Sequence, residues 1–167
     1  MGRDGVTDEI RTSVEAAENA VLPEARVVHV VPGTPPTPEI EPLPAGVASR
    51  PFEGKSPAQW AYERLILYIK NFEEQLNDAQ EVAMGFAGGD AGVLRIEGIG
   101  YFAPDILTFY GQDENGDRTQ LIQHVSQLSV ILRAVPKPTE ADQPRRIGFR
   151  LADDLGRAEG AAPLANP

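Results

Sequence analysis

Between residues 57 and 79 the apolar positions follow a helical period. Ala61, Leu65, Ile69 (with Tyr68), Phe72 and Leu76 recur three to four residues apart, and Trp60 and Leu67 widen the stripe. Glu63, Lys70, Glu73, Glu74 and Asp78 lie off it. The segment Ser56-Pro57-Ala58-Gln59 supplies a start: serine caps, proline suits the first helical position, and Gln59 stands where a capping box places its second member. A helix running to about Ala79 is roughly 35 Å long. That is more than a small sheet needs, and the excess reads either as contact with another subunit, with Trp60, Leu67 and Phe72 on the assembly helix, or equally as a protruding end.

From Glu81 the period shortens to two or gives way to continuous β-type runs. Strands are expected over 81–87, 93–102, 106–111, 119–124, 128–135 and 147–151. Gly88-Gly89-Asp90-Ala91-Gly92 offers residues that accept positive φ between the first two, and Asn115-Gly116 suits a hairpin. Short links between successive strands make an up-and-down meander, and Gly98-Ile99-Gly100 permits the bend that closure needs. The expected class is α+β: a long N-terminal helix, then a five- to six-stranded antiparallel meander closing into a small barrel.

Proline divides the chain into parts. Nine of the 15 prolines fall in residues 1–57, one (Pro104) in 58–135 and five in 136–167. Proline is excluded from helix interiors and central strands, so the proline-poor middle is the folded region. The expected organisation is an acidic, mostly disordered arm over 1–55, a helix-plus-barrel domain over 56–152, and a disordered tail over 153–167. Within the arm, Asp8–Val21 has short-helix composition, and Thr34 to Pro44 reads as polyproline II. Arg26–Val31 (RVVHVV) has two readings, a strand that docks on a sheet edge of this chain or a partner, or an apolar stretch of a disordered arm.

Charge and composition narrow the function classes. The net charge is −10 and the pI about 4.6, which disfavours a broad phosphate-binding surface. The acidity belongs to the middle region itself, where 11 acids face five bases. No cysteine is present, which removes disulfides, thiolate metal sites and cysteine nucleophiles. No apolar run reaches membrane-spanning length, and the first residues, MGRDGVTDEI, do not resemble an export signal. A cytoplasmic location without membrane attachment is expected.

VLRIEGIGYFAPDILTFYG (93–111) and LIQHVSQLSVILRAVP (121–136) resemble the two halves of the Sm-like fold. The resemblance lies in an apolar strand, a bending glycine (Gly98), an aromatic (Phe102), an acid (Asp105) and a second apolar strand. Gln123-His124 stands where the bacterial members carry a Lys-His pair. The resemblance implies a helix followed by five bent strands in a small Sm-like or SH3-like barrel, assembly into rings, and RNA bound near His124. This chain departs from the pattern at Gln123, where the family's lysine is missing, at Pro104, and at Ile106, which replaces a base-stacking aromatic. Ser56–Lys137 also resembles a small bacterial family without an assigned function.

Candidate chemistry is sparse. His124 is the histidine of the middle region, read as a hydrogen-bonded turn residue ahead of a base-binding or catalytic group. Asp113, Asn115 and Asp117 superficially resemble a calcium loop, but Gly116 falls at position four rather than six, so a solvated hairpin tip is expected. No phosphate-binding loop, G-x-S-x-G motif or paired catalytic carboxylate is recognisable, so no enzyme, cofactor or metal site is expected. Arg145, Arg146 and Arg150, with Lys137 and with Phe149 among them, form a basic cluster that reads either as a phosphate track or as a charged edge strand that resists pairing. The expected function is a non-enzymatic binding or assembly module that associates with itself, with a protein partner possible through the arm. The alternative is RNA binding on a ring surface, disfavoured by the net charge.

Overall fold

Ser56 caps a helix as expected: its Oγ accepts from the Gln59 amide at 3.2 Å. The computed structural model describes residues 24–42, 54–87 and 92–158. The chain divides into two units, residues 1–55 and 56–167.

In the second unit, helix α1 spans Pro57–Glu73 and is followed by strands β1 (Gln80–Phe86), β2 (Val93–Phe102), β3 (Ile106–Gln112), β4 (Arg118–His124) and β5 (Val130–Pro136), then helix α2 (Ile147–Ala158). The five strands form one antiparallel sheet in the order β4-β3-β2-β1-β5. The class is α+β. β4 and β5 are its two edges and do not pair with each other, so the sheet is not closed into the expected barrel. β1 and β2 share only the pairs Met84–Leu94 and Gly85–Val93, whereas β2 and β3 pair along almost their whole length, with a register shift between Ile96 and Gly98. The irregularity sits beside the glycines expected to allow the bend.

The core lies between α1 and one sheet face. Leu65 and Ile69 from α1 meet Val82, Met84, Leu94, Ile96, Ile99, Leu107 and Phe109. The Phe86 ring reaches that of Phe109 across β2, with centroids 4.9 Å apart. Full burial of side chains such as Phe109, Ile66 and Ile69 contributes about 1.5–3 kcal/mol each.

Three expectations change. First, α1 ends six residues early, because Asn77 Oδ1 accepts from the Ala79 amide at 2.8 Å and folds the chain into an Asx turn before β1. At 17 residues α1 is about 25 Å long, and the excess length that pointed to another subunit is absent. Second, residues 147–151 are helical, not a sixth strand. Ile147 and Leu151 pack on the core as an i, i+4 pair, and Leu155 continues the row. The helix runs to Ala158, six residues into the expected tail; the remainder of that tail lies outside the described residues. Third, Glu63 and Glu73, placed off the apolar stripe, are 3% and 2% exposed. α2 packs on α1 and covers the end of α1 that carries Glu73.

In the first unit, Arg26–Val31 forms no strand, and Val28, Val30 and Val31 are exposed. Gly33 takes a φ of +81°, and Pro38–Ile40 is a 3-10 turn that interrupts the expected polyproline II run. The helix expected over 8–21 and most of the glycine-rich turn over 88–92 lie outside the described residues.

Candidate functional site

The arginines grouped in sequence surround one groove of about 750 Å³ between α2 and β2, with Ile96 and Leu151 in its walls and Glu97 and Asp154 beside them. Most of their charge is already engaged. The Arg146 guanidinium donates to the carbonyls of Gln80 (2.6 Å) and Asn77 (2.9 Å), clamping the start of α2 to the α1–β1 turn. The Arg145 backbone amide donates to Glu81 Oε2 at 2.8 Å, and its guanidinium lies 3.6 Å from Glu97. Glu81, with a side chain only 4% exposed, also accepts from Arg95 at 3.1 Å, while Arg95 donates to the Pro136 carbonyl at 2.6 Å. One buried carboxylate thus joins β1, β2 and the segment leading into α2. Arg150 is the member of the cluster whose guanidinium has no partner among the described residues. Phe149 leaves the groove and lies under the Lys70 ammonium, 5.4 Å from its ring centroid.

His124 stands at the far end of β4. Its Nδ1 accepts from the Ser126 amide at 3.0 Å and lies 2.8 Å from Ser126 Oγ, capping the 3-10 turn Val125–Gln127. An Nδ1 that accepts leaves the proton of the neutral ring on Nε2, which faces Asp105 Oδ2 at 3.2 Å. Both ring nitrogens are therefore engaged, Nδ1 with the 3-10 turn that follows β4 and Nε2 with the β2–β3 turn. Gln123 has its Oε1 buried without a partner, and its Nε2 lies 3.5 Å from the Gln127 carbonyl. The structure keeps Gln123 and His124 together at the β4 end, apart from the arginines around α2.

The residues expected on an assembly helix separate as well. Phe72 packs against the core, Leu67 is half-buried, and the Trp60 ring carries the Arg64 guanidinium of its own helix at 3.9 Å. The hairpin tip resembling a calcium loop uses Asp113 internally: Oδ1 accepts from the amides of Asn115 and Asp117, both at 2.9 Å. Among the described residues no group of three or more histidine, aspartate or glutamate side chains is placed to hold a metal ion, and no helix is long and apolar enough to cross a membrane.

Sequence reasoning missed two features. The first is an apolar outer sheet face: Phe102 on β2, Tyr110 on β3 and Ile122 on β4 are 76%, 42% and 63% exposed. Tyr110 lies over Gly98, and Thr108 lies against Gly100, so the two glycines leave low ground between the aromatics. Alternation within β3 and β4 carried this signal, but alternation does not say which face is covered. The second is Glu73. Its Oε1 accepts from the Phe149 amide at 3.1 Å, its Oε2 has no partner, and the amides of Gly148 and Ile147 also point to it. Burial raises its carboxyl above the ordinary value, and those amides together with Arg146 pull it partly back.

No curated protein and no solved structure matches the chain significantly. Residues 55–150, from the residue before the α1 cap into the second turn of α2, match a family of unknown function, and the chain is a member of that family, DUF6173.

Proposed function

We propose that the domain is a non-enzymatic assembly module that binds further copies of itself through the two open edges of its sheet. The observation that carries this reading is that, among the described residues, β4 and β5 each pair on one side only and each present an exposed isoleucine, Ile122 and Ile131. An unpaired strand edge is a template for another strand, and soluble proteins blunt it with proline, lysine or a cover. β4 has no proline and no lysine; β5 has Arg133 at its centre and Pro136 at its last position. Because the edges lie at opposite ends of the strand order, joining β4 of one copy to β5 of the next is heterologous. Such a contact closes into a ring or continues as a filament according to its rotation.

Native mass spectrometry of protein purified without nuclease tests this directly. A discrete oligomer is expected, falling to monomer in Ile122→Lys and in Ile131→Lys. A wild-type monomer at micromolar concentration overturns the reading. An oligomer carrying oligonucleotide mass replaces it with RNA binding on the assembled surface.

A further inference from the structure

We propose that α2 is a pH-sensitive strap, tightened on α1 when the Glu73 carboxyl beneath its N-terminus takes up a proton and loosened when that proton leaves. α2 packs on α1 and forms no part of either edge strand, so this strap is distinct from assembly through the sheet edges.

The geometry places an ionisable group where its charge is poorly accommodated. Glu73 is 2% exposed, and one of its two oxygens is buried without a partner. Above it, Gly148 brings the first turn of α2 so close that a Cβ there would lie 2.7 Å from the Lys70 amide nitrogen and 2.8 Å from Glu73 Oε1. This close approach excludes water from the carboxylate. Ionised, Glu73 gains the helix N-terminal amides but leaves a charged oxygen unsolvated; protonated, it keeps an accepting oxygen for Phe149 and loses the charge.

The charged groups packed around it do not offset that cost. Lys70, on the same helix, spends its ammonium on Glu74 (3.8 Å) and on the Phe149 ring. Arg146 is held by the carbonyls of Asn77 and Gln80, and only its longer-range field reaches the carboxylate. On the β1 side, Arg145 and Arg95 are engaged by Glu81, and Arg145 also by Glu97. Farther along α2, Arg150 and Asp154 border the groove. His124 is occupied with Asp105 and Ser126 at the β4 end.

A carboxyl raised by docking binds its proton more tightly with α2 docked than with α2 released. The docked state therefore has its full advantage below the ordinary carboxyl value of 4.5 and loses it as the pH rises through the raised value. Loosening α2 withdraws Ile147 and Leu151 from the core they cover and dismantles one wall of the groove.

Hydrogen exchange of the full chain between pH 5 and pH 8, corrected for intrinsic rates, reads the effect at the amides of Phe149, Arg150 and Leu151. The amides of Leu107 and Phe109 in β3 report global opening. Relative to those references, protection of α2 is expected to fall roughly three- to tenfold across the range in the wild type. In Glu73→Gln, which keeps an accepting oxygen without the charge, it is expected to stay flat. The same slope in both proteins overturns the proposal. If the variant does not fold, the wild-type Glu73 carboxyl carbon decides by NMR: a midpoint above 4.5 supports the strap, and one at or below 4.5 overturns it.

Discussion

Gly148 is the residue at which the smallest chemical change has the most definite structural consequence. A methyl group there would lie 2.7 Å from the Lys70 amide nitrogen and 2.8 Å from its Cα, both of them backbone atoms that cannot turn aside. Gly148→Ala should therefore lift α2 off α1 and cost about 1–3 kcal/mol, measured by urea denaturation, despite alanine's better helix propensity. His124 is the contrasting case. Its contacts with Ser126 and Asp105 are short, but the His124 and Asp105 side chains are 48% and 44% exposed, so solvent screens what they gain. His124→Ala should lower stability by about 0.5–1 kcal/mol and leave the oligomeric state unchanged. A loss of assembly in that variant would assign the histidine an interface role that its present hydrogen bonds do not suggest.

At the scale of elements, the arginine cluster divides into structural and free members, and calorimetry can separate them. Arg146→Ala removes two charge-assisted bonds to the carbonyls of Gln80 and Asn77 and should cost about 1.5–3 kcal/mol. Arg150→Ala removes a guanidinium without a partner among the described residues and should stay within about 0.5 kcal/mol of wild type. Sequence adjacency hides this difference, because Asn77 and Gln80 lie far from Arg146 along the chain. The same cause explains which elements were legible. The five strands and the α1 cap rest on local signals (alternation, Asn115-Gly116, Ser56-Pro57), and their positions follow the sequence to within one or two residues. The segment 147–151 does not, because Ile147, Phe149 and Leu151 satisfy period two while Ile147, Leu151 and Leu155 equally satisfy a helix. What decides in favour of the helix is remote: Glu73 receives its first amides, and Gly148 lets it approach α1. The apparent solvent side of α1 was misread for the same reason, since no pattern within residues 57–73 reveals that a second helix will cover Glu73.

For the whole molecule, the question is how much of the chain the fold and its assembly require. Among the described residues, every member of the hydrophobic cluster, including those packed at its margin, lies within Ala61–Leu151. The contact division falls at Lys55–Ser56, and the family match begins at residue 55. The last two boundaries coincide just before the α1 cap, and the cluster begins inside α1 itself. The apolar run Arg26–Val31 supplies no strand of its own, and the two sheet edges are formed entirely by residues from Arg118 onward. A protein starting at Gly54, which retains the Ser56 cap, should therefore melt within about 2 °C of the full chain, corresponding to a change of less than roughly 0.5 kcal/mol. Its oligomeric state by native mass spectrometry should also be unchanged. A lower melting temperature with assembly intact would mean that the arm stabilises the domain. Loss of assembly with an unchanged melting temperature would move the interface from the sheet edges to the exposed valines of the arm, which is the outcome that most directly separates edge pairing from arm docking.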